Sequence, residues 1–146
     1  MTRFIGLDHG AKRIGVAVGE TETGMAFARR AVVRRALESD LDTLVALVRS
    51  ERAEIVVVGL PRNMDGSEGG QAASAREFGE RLRARGLHVE YVDERLSSWQ
   101  AGEQLSAAGR RPHRSTGELD SAAARLVLQE YLDAHRGMPA QPEETA

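Results

Sequence analysis

The 146-residue sequence has no cysteine, only one lysine and few aromatic residues. The missing cysteine excludes disulfides and thiolate metal ligands. No apolar run approaches the roughly 18 residues that a membrane-spanning helix needs, so we expect no membrane partner. The N-terminus passes directly into a strand pattern, and we therefore expect no signal peptide and a cytoplasmic location.

Positive charge is carried almost entirely by arginine, because Lys12 is the only lysine among 20 basic residues. The net charge of −2 does not favour nucleic-acid binding, yet the arginines cluster in segments 29–35, 81–85 and 110–114. The planar guanidinium suits phosphate, and a local patch matters more to a nucleic acid than the sum over the chain. The clusters indicate either a phosphate-binding surface or ordinary solvated faces.

Hydrophobic periodicity predicts the element order βββαβαβαα within one domain, residues 1–136, followed by a disordered tail, residues 137–146. The predicted strands cover 3–8, 13–19, 25–35, 54–61 and 87–94, and the predicted helices cover 38–53, 72–86, 97–109 and 119–137. Ser39 or Asp40 is the candidate N-cap of the first helix. Short turns between the first three strands favour an antiparallel meander, and helix-separated strands favour parallel additions. The predicted class is α/β, a mixed sheet flanked by helices.

Three carboxylates stand where the elements do not require them: Asp8 at the end of the first strand, Glu94 at the end of the last, and Asp120 at the start of the last helix. Ligands gather beyond the carboxyl ends of parallel strands, so these acids can share one edge. Structural alternatives are an Asx-turn at Asp8, an ion pair with a neighbouring arginine at Glu94, and a helix-dipole interaction at Asp120.

Neighbouring acids compete with this choice, since Glu90, Asp93 and Glu118 lie close in sequence. Strand alternation favours Glu94, because it shares a face with Val92 while Asp93 points to the other side. Carboxylate oxygens are the ligands preferred by Mg²⁺ and Mn²⁺, and such ions can promote phosphodiester hydrolysis without a side-chain nucleophile. We expect His9 to be an exposed turn residue; the alternative is a role in proton transfer.

Four segments in order resemble the YqgF/RuvX family of RNase H-like nucleases: "GLDHGAKRIGVAVG", "VVVGLPRNMDGSEGGQA", "VDERLSS" and "LDSAAARLVLQEYL". Together they span roughly residues 3–134. The resemblance implies an RNase H-like fold with a five-stranded mixed sheet, the first three strands antiparallel and the last two parallel to the first. It also implies a cytoplasmic, metal-dependent nuclease, since the family is described as a pre-16S rRNA processing nuclease and as a Holliday-junction resolvase.

On this resemblance Asp8, Glu94 and Asp120 are the catalytic and metal-binding acids, with Mg²⁺ or Mn²⁺ as cofactor. Related resolvases often carry a further acid one turn along the last helix, where this chain has Ala123, so we expect one bound metal in the free protein. The candidate substrate-binding residues are Lys12, Arg13, Asn63, Asp65, Gly66, Ser67, Arg95, Ser97, Ser98, Arg110, Arg111 and Arg114. Their structural alternatives are a solvated turn, a flexible connection and a helix cap.

The substrate implied is structured RNA or a four-way DNA junction. Paired incision of a two-fold symmetric junction needs two active sites and hence a non-covalent homodimer, whereas RNA trimming needs only a monomer. One rival function is a non-catalytic nucleic-acid-binding module with the same fold. Another is an actin-like ATP-binding protein, whose first phosphate hairpin the first segment also resembles, although 146 residues leave no room for its second subdomain.

Overall fold

The computed structural model describes residues 1–61, 69–93 and 118–135, without the side chains of 118–120. The elements are β1 (Arg3–His9), β2 (Arg13–Glu20), β3 (Ala26–Val33), α1 (Leu37–Ser50), β4 (Ile55–Leu60), α2 (Gly70–Ala84), β5 (Val89–Asp93) and α3 (Glu118–Ala134). Each lies where the periodicity predicts it, with ends that shift by up to three residues. The predicted helix 97–109 and the predicted disordered tail 137–146 lie outside the described residues.

The five strands form one sheet in the order β3-β2-β1-β4-β5. β1 pairs antiparallel with β2 and parallel with β4, β2 pairs antiparallel with β3, and β4 pairs parallel with β5. The predicted mixed sheet is therefore confirmed. β4 is buried from Val56 to Leu60, as its uninterrupted apolar run indicates for a strand covered on both faces.

Helices cover both faces of the sheet, and strand alternation decides which side chains each face receives. On one face Ile5 and Leu7 pack into a large apolar cluster with residues of α1 and α2. On the other face Phe4 packs with residues of α3, and its ring meets Tyr131 edge-on at 5.4 Å between centroids. None of the three described helices is long and apolar enough to cross a membrane.

α3 lies unusually close to the sheet, and Gly6 on β1 permits this approach. A Cβ atom at Gly6 would lie 2.8 Å from Leu128 Cβ and 3.1 Å from the Ala124 carbonyl oxygen. At Gly19 on β2, an added Cβ would lie 3.0 Å from Leu132 Cδ1. The two glycines therefore fix the height and course of α3 over β1 and β2.

The start of α1 differs from the sequence prediction, which gave Ser39 or Asp40 as the N-cap. The N-cap is Ala36, which makes no side-chain capping bond. The buried Asp40 instead reaches back to accept a hydrogen bond from the Arg35 backbone N–H at 3.0 Å. The prediction was wrong because a carboxylate one turn inside the helix can satisfy a donor that precedes the helix.

Candidate active site

Asp8 lies one residue before the end of β1 and is half-buried, with Gly15 of β2 as its register partner. The β1–β2 turn is closed by a backbone bond from the Gly10 N–H to the Arg13 carbonyl at 3.0 Å. A Cβ at Gly10 would lie 2.6 Å from that carbonyl oxygen, so the turn requires glycine. By alternation Asp8 shares the α3 face with Phe4 and Gly6.

The beginning of α3 is fixed to β2 by a buried hydrogen bond that the sequence analysis missed. Ser121 is fully buried, and its Oγ accepts from the Val16 backbone N–H at 3.1 Å. Val16 follows Gly15, at a point where the β2–β3 register shifts. Because Asp120 immediately precedes Ser121, this bond holds the Asp120 backbone beside the strand pair that carries Asp8. The only signal in the sequence was a serine on an otherwise apolar helix face.

The third predicted acid, Glu94, lies outside the described residues, but the strand before it is described. Val92 of β5 packs against the apolar cluster that includes α3. Glu90 accepts a hydrogen bond from the Tyr131 hydroxyl at 3.0 Å, and its other carboxylate oxygen lies 2.8 Å from His88 Nε2. Glu90 is thus engaged in joining β5 to α3, which makes it a poor alternative to Glu94 as a metal ligand.

Hard oxygen donors at the end of a strand suit Mg²⁺ or Mn²⁺, and Asp8 provides such a carboxylate. Among the side chains that the structure describes, no three histidine, aspartate or glutamate groups lie close enough to hold a metal ion. The side chains of Glu94 and Asp120 are not among them. The described part of the site therefore consists of Asp8 and the anchored first turn of α3.

Two titratable groups of α3 hold their protons more tightly than usual. Burial, and next the charge of Asp93, raise the pKa of the Glu130 carboxyl above its ordinary value. Burial, and next its hydrogen bond to Glu90, raise the pKa of the Tyr131 hydroxyl as well. Both shifts come mainly from burial, and the acids of β5 add to them.

Two of the predicted substrate-binding residues lie in the β1–β2 hairpin. Lys12 is exposed in the turn, and Arg13 is half-buried at the start of β2. Both residues follow Asp8 within five positions along the chain, in the hairpin that β1 and β2 form. The remaining ten lie outside the described residues: Asn63, Asp65, Gly66, Ser67, Arg95, Ser97, Ser98, Arg110, Arg111 and Arg114.

The arginine clusters differ in their partners. Each arginine of the 81–85 segment pairs with a carboxylate: Arg81 with Glu77 at 3.1 Å, Arg83 with Glu80 at 2.7 Å, and Arg85 with Asp42 at 2.6 Å. These pairs support the solvated-face interpretation of that segment. By contrast, the four arginines of segment 29–35 are exposed along and just beyond β3, an edge strand of the sheet.

His9 is not an exposed turn residue, and that prediction was wrong. It is the last residue of β1, it is only 8% exposed, and its ring packs on Phe78 of α2 at 4.8 Å between centroids. β1 continues one residue beyond Asp8, and alternation then directs His9 to the face covered by α2. Burial, and next the charge of Arg34, lower the pKa of His9 to about 4 against an opposing effect of Asp40, so the ring is neutral at neutral pH.

The sheet order and the flanking helices define an RNase H-like fold. Thermus thermophilus RuvC, solved in complex with a Holliday junction substrate, is 17% identical and superposes with a TM-score of 0.60 over 94% of this chain and 98% of that chain. The large terminase nuclease of the thermophilic phage G20c is 15% identical, with a TM-score of 0.53 over 89% of this chain and 81% of that one. At these identities the likeness is one of fold.

The family is given by sequence. The model of the RuvX family, described as "Holliday junction resolvase", matches residues 2–134. A protein of Synechococcus sp. named "Putative pre-16S rRNA nuclease" is 43% identical over 90% of this chain and 89% of its own length. One of the same name in Trichormus variabilis is 44% identical over 93% of each chain. The chain belongs to the RuvX family, and it is accordingly a nuclease, a hydrolase of phosphodiester bonds.

Proposed function

We propose that the chain is a divalent-metal-dependent nuclease in which Asp8, Glu94 and Asp120 hold Mg²⁺ or Mn²⁺. The observation that carries this proposal is the bond between Ser121 Oγ and the Val16 N–H, 3.1 Å long. It brings the first turn of α3 to the end of β1 where Asp8 lies. Two acids that are 112 positions apart in the chain are thereby supported as neighbours.

The course of α3 supports the same arrangement. Ala124 lies over Gly6, and α3 runs antiparallel to β1, because Tyr131 lies beside Phe4. Asp120 therefore precedes Ala124 by about 6 Å along the helix axis. Asp8 lies about 7 Å beyond Gly6 along β1 in the same direction. These two distances are similar and run in the same direction. They support the proposal that Asp8 and Asp120 lie at the same height along β1, at this edge of the sheet.

Glu94 is proposed as the third ligand from the register of β5. Two strand spacings separate β5 from β1, or roughly 10 Å. Val92 packs towards α3. Glu94 follows Val92 by two residues, so in an extended chain its side chain would point to the same face. A carboxylate that follows β5 in the chain and another in the first turn of α3 are thus proposed to flank Asp8.

In this proposal the chain's own residues bind and orient, and none acts as the nucleophile. When bound, the metal ion supplies an activated water and stabilises the leaving oxygen of the phosphodiester. The water oxygen bonds to phosphorus as the bond to the 3′ oxygen breaks, which leaves a 5′-phosphate and a 3′-hydroxyl. Lys12 and Arg13, in the turn after Asp8, neutralise phosphate charge beside the reacting group.

We propose structured RNA as the substrate, with processing of the 5′ end of pre-16S rRNA in the cytoplasm by a monomer. The names of the relatives at 43% and 44% identity support this choice. The second candidate is a four-way DNA junction cleaved by a non-covalent homodimer, and it is favoured by the description of the family model. A non-catalytic binding module would bind either substrate and cleave neither.

The first prediction concerns the carboxylate of Asp8. Asp8→Asn keeps the size of the side chain but removes the charge that a metal ligand needs, so cleavage should fall by at least about 1,000-fold. Cleavage of a labelled pre-16S rRNA fragment and of a four-way DNA junction is measured side by side in Mn²⁺, in Mg²⁺ and in excess EDTA. Sedimentation of the protein gives its oligomeric state.

Asp42→Asn is the matched control, because Asp42 is an exposed aspartate on α1. It should cleave like the wild type, and both variants should show thermal melts close to that of the wild type. Full activity of Asp8→Asn, or full wild-type activity in EDTA, would contradict the metal-site proposal. Binding without cleavage in every metal would favour the non-catalytic module.

A further inference from the structure

A cavity of about 270 Å³, open to solvent, lies between the β1–β2 turn and the first turn of α2. Its walls include His9, Arg34, Gln71 and Ser74, together with turn residues of the hairpin. Asp8 and His9 are successive residues of β1, so their side chains point to opposite faces of the sheet. The cavity is therefore separate from the acids proposed above, although β1 alone lies between them.

The first turn of α2 is arranged to receive a negative charge. The N-cap residue Gly69 has no side chain that could accept a bond from the first amides, and the first turn contains no acidic residue. The 15-residue helix directs these amides and the positive end of its dipole towards the cavity. Among the described residues, a Cβ at Gly70 would meet nothing within 4 Å.

Arg34 places a permanent positive charge at the same cavity. Its Nη1 donates hydrogen bonds to the carbonyl oxygens of Gly10 at 2.9 Å and Ala11 at 3.3 Å. These bonds hold the guanidinium across the hairpin turn. A guanidinium has five N–H donors in a planar fork that fits phosphate oxygens, so one edge can hold the turn while another binds a ligand.

His9 supplies the observation that points to a ligand. Its side chain is more than nine-tenths buried and lines the cavity, yet within the described parts of the chain neither ring nitrogen has a hydrogen-bond partner. Buried polar groups in folded proteins are nearly always bonded, and each exception needs an explanation. A ligand oxygen in the cavity would provide the missing acceptor for the ring N–H.

The charges around the cavity agree with this interpretation. Arg34 lines the cavity beside His9 and carries a permanent positive charge. The Asp40 carboxylate is already engaged by the Arg35 backbone N–H at 3.0 Å. A fixed cation beside a buried hydrogen-bond donor attracts an anion and repels a metal ion.

We propose that this cavity binds a phosphate group of the nucleic-acid substrate, held by the first-turn amides of α2, the guanidinium of Arg34 and the ring of His9. The inference rests on the proposed function in so far as it takes the substrate to be a nucleic acid. A strand that passes over the exposed turn at Lys12 reaches the acids on one side and the cavity on the other. The cavity would then position the strand by a phosphate other than the one cleaved.

The test is a titration of ¹⁵N-labelled protein followed by nuclear magnetic resonance in EDTA, so that no cleavage occurs. One arm uses inorganic phosphate and the other a short single-stranded oligonucleotide. We expect saturable shifts of the Gly70, Gln71 and Ser74 amides in both arms. In Arg34→Gln and in His9→Phe, which keeps an aromatic ring on Phe78, affinity should fall at least about tenfold, because a charge-assisted or buried hydrogen bond is lost.

Arg35→Gln is the matched control, because it removes the same charge from the next residue, which does not line the cavity. It should bind within about twofold of the wild type, since exposed charges are screened at physiological salt. If only the oligonucleotide shifts these amides, the proposal is also supported. The cavity then binds phosphate as the diester of a nucleic acid. The proposal would be overturned if Arg34→Gln and Arg35→Gln lost affinity equally. It would also be overturned if neither ligand shifted the amides, or if phosphate bound and the oligonucleotide did not.

The outcomes separate this inference from the proposed function. If the wild type cleaves RNA in Mn²⁺ and the cavity amides do not respond, the cavity proposal fails and the nuclease proposal stands. If the amides respond and no metal supports cleavage, the reverse holds. Asp8→Asn should keep the cavity footprint while losing cleavage, because its side chain lies on the other face of the sheet.

Discussion

The face of the sheet under α3 has small residues where the helix comes closest, whereas the face under α1 and α2 is built from large ones. Gly6, Ala17 and Gly19 lie beneath α3, and its backbone comes within van der Waals distance of β1. The opposite face buries Ile5, Leu7 and further branched side chains against α1 and α2. The first face fixes a helix at a defined height over the sheet, and the second supplies most of the apolar core.

In the two proposals above, the faces have different parts. A close, glycine-mediated contact leaves a helix little freedom to shift, which suits a site where acids from separate elements must meet. On the face covered by α1 and α2, the cavity at His9 lies at the edge of the sheet. There α2 begins beside the hairpin turn. Three predictions test how far the two faces really differ.

The largest effect is expected from Gly6→Ala. The new methyl group would meet Leu128 Cβ at 2.8 Å and the Ala124 carbonyl oxygen at 3.1 Å, and neither belongs to the end of a flexible side chain. The free energy of unfolding, measured by urea denaturation, should fall by about 2 to 3 kcal/mol. Cleavage should fall as well, because α3 carries Asp120.

Gly70→Ala provides the control for this substitution, since an added Cβ there meets nothing within 4 Å. At the start of α2 alanine is no worse than glycine for helix stability, so the free energy of unfolding should be unchanged or slightly higher. A Gly6→Ala protein as stable as Gly70→Ala would show that α3 can move away from the sheet, and the contrast between the faces would disappear.

A smaller loss is expected from Ser121→Ala. The substitution leaves the Val16 N–H without its acceptor in a buried position, which should cost about 1 to 2 kcal/mol of unfolding free energy. Ser50→Ala makes the same chemical change on the surface of α1, where Ser50 Oγ donates to the Leu47 carbonyl, and should stay within about 0.5 kcal/mol of the wild type.

Hydrogen exchange gives the second measurement of the same change. The amide of Val16 should exchange faster in Ser121→Ala, and cleavage should decrease because Asp120 loses its anchor. Equal stabilities of the Ser121→Ala and Ser50→Ala proteins, with unchanged exchange at Val16, would mean that the start of α3 is held by other contacts.

The smallest effect is expected at Glu130. Its pKa is raised by burial and by Asp93, so the folded protein binds this proton more tightly than the unfolded chain. The resulting penalty on stability is absent in acid and develops as the pH rises from the ordinary carboxyl pKa through the raised value. Glu130→Gln should therefore be slightly more stable than the wild type at neutral pH, by less than about 0.5 kcal/mol because the side chain is only partly buried and solvent screens its charge.

Thermal melts in EDTA at several pH values measure this difference, which should vanish in acid. In Asp93→Asn the pKa of Glu130 should fall part of the way towards its ordinary value and stay above it, because burial is the larger cause. A stabilisation by Glu130→Gln that is the same at every pH would have to come from helix propensity instead of charge.

Sequence reasoning predicted the elements and the sheet topology because the signals are local and regular. The run at β4, the alternation in β1 and β2 and the short turns between the first strands together restrict the pairing. Asp8 was placed at the end of β1 for the same reason, since a carboxylate at the end of a buried strand departs from the pattern. Asp8, Glu94 and Asp120 all remain predictions as metal ligands.

The features that were missed depend on single residues and on long-range contacts. His9 was assigned to the turn because the end of a strand is uncertain by a residue. When the strand is one residue longer, that residue points to the opposite face from the one before it. Arg34 reaches the hairpin turn only because β3 is paired with β2, which places the Arg34 N–H 2.9 Å from the Lys12 carbonyl. Ser121 accepts its hydrogen bond from the Val16 N–H at the point where the β2–β3 register shifts.

Lys12 carries the only ε-amino group of the chain and is exposed at the tip of the β1–β2 turn. Apart from the N-terminus, an amine-directed fluorophore or crosslinker has a single place to attach. That place lies within a few residues of both Asp8 and His9, so one label would report on ligands arriving at either side of β1, and a crosslink formed there would identify the nucleotide that crosses the hairpin.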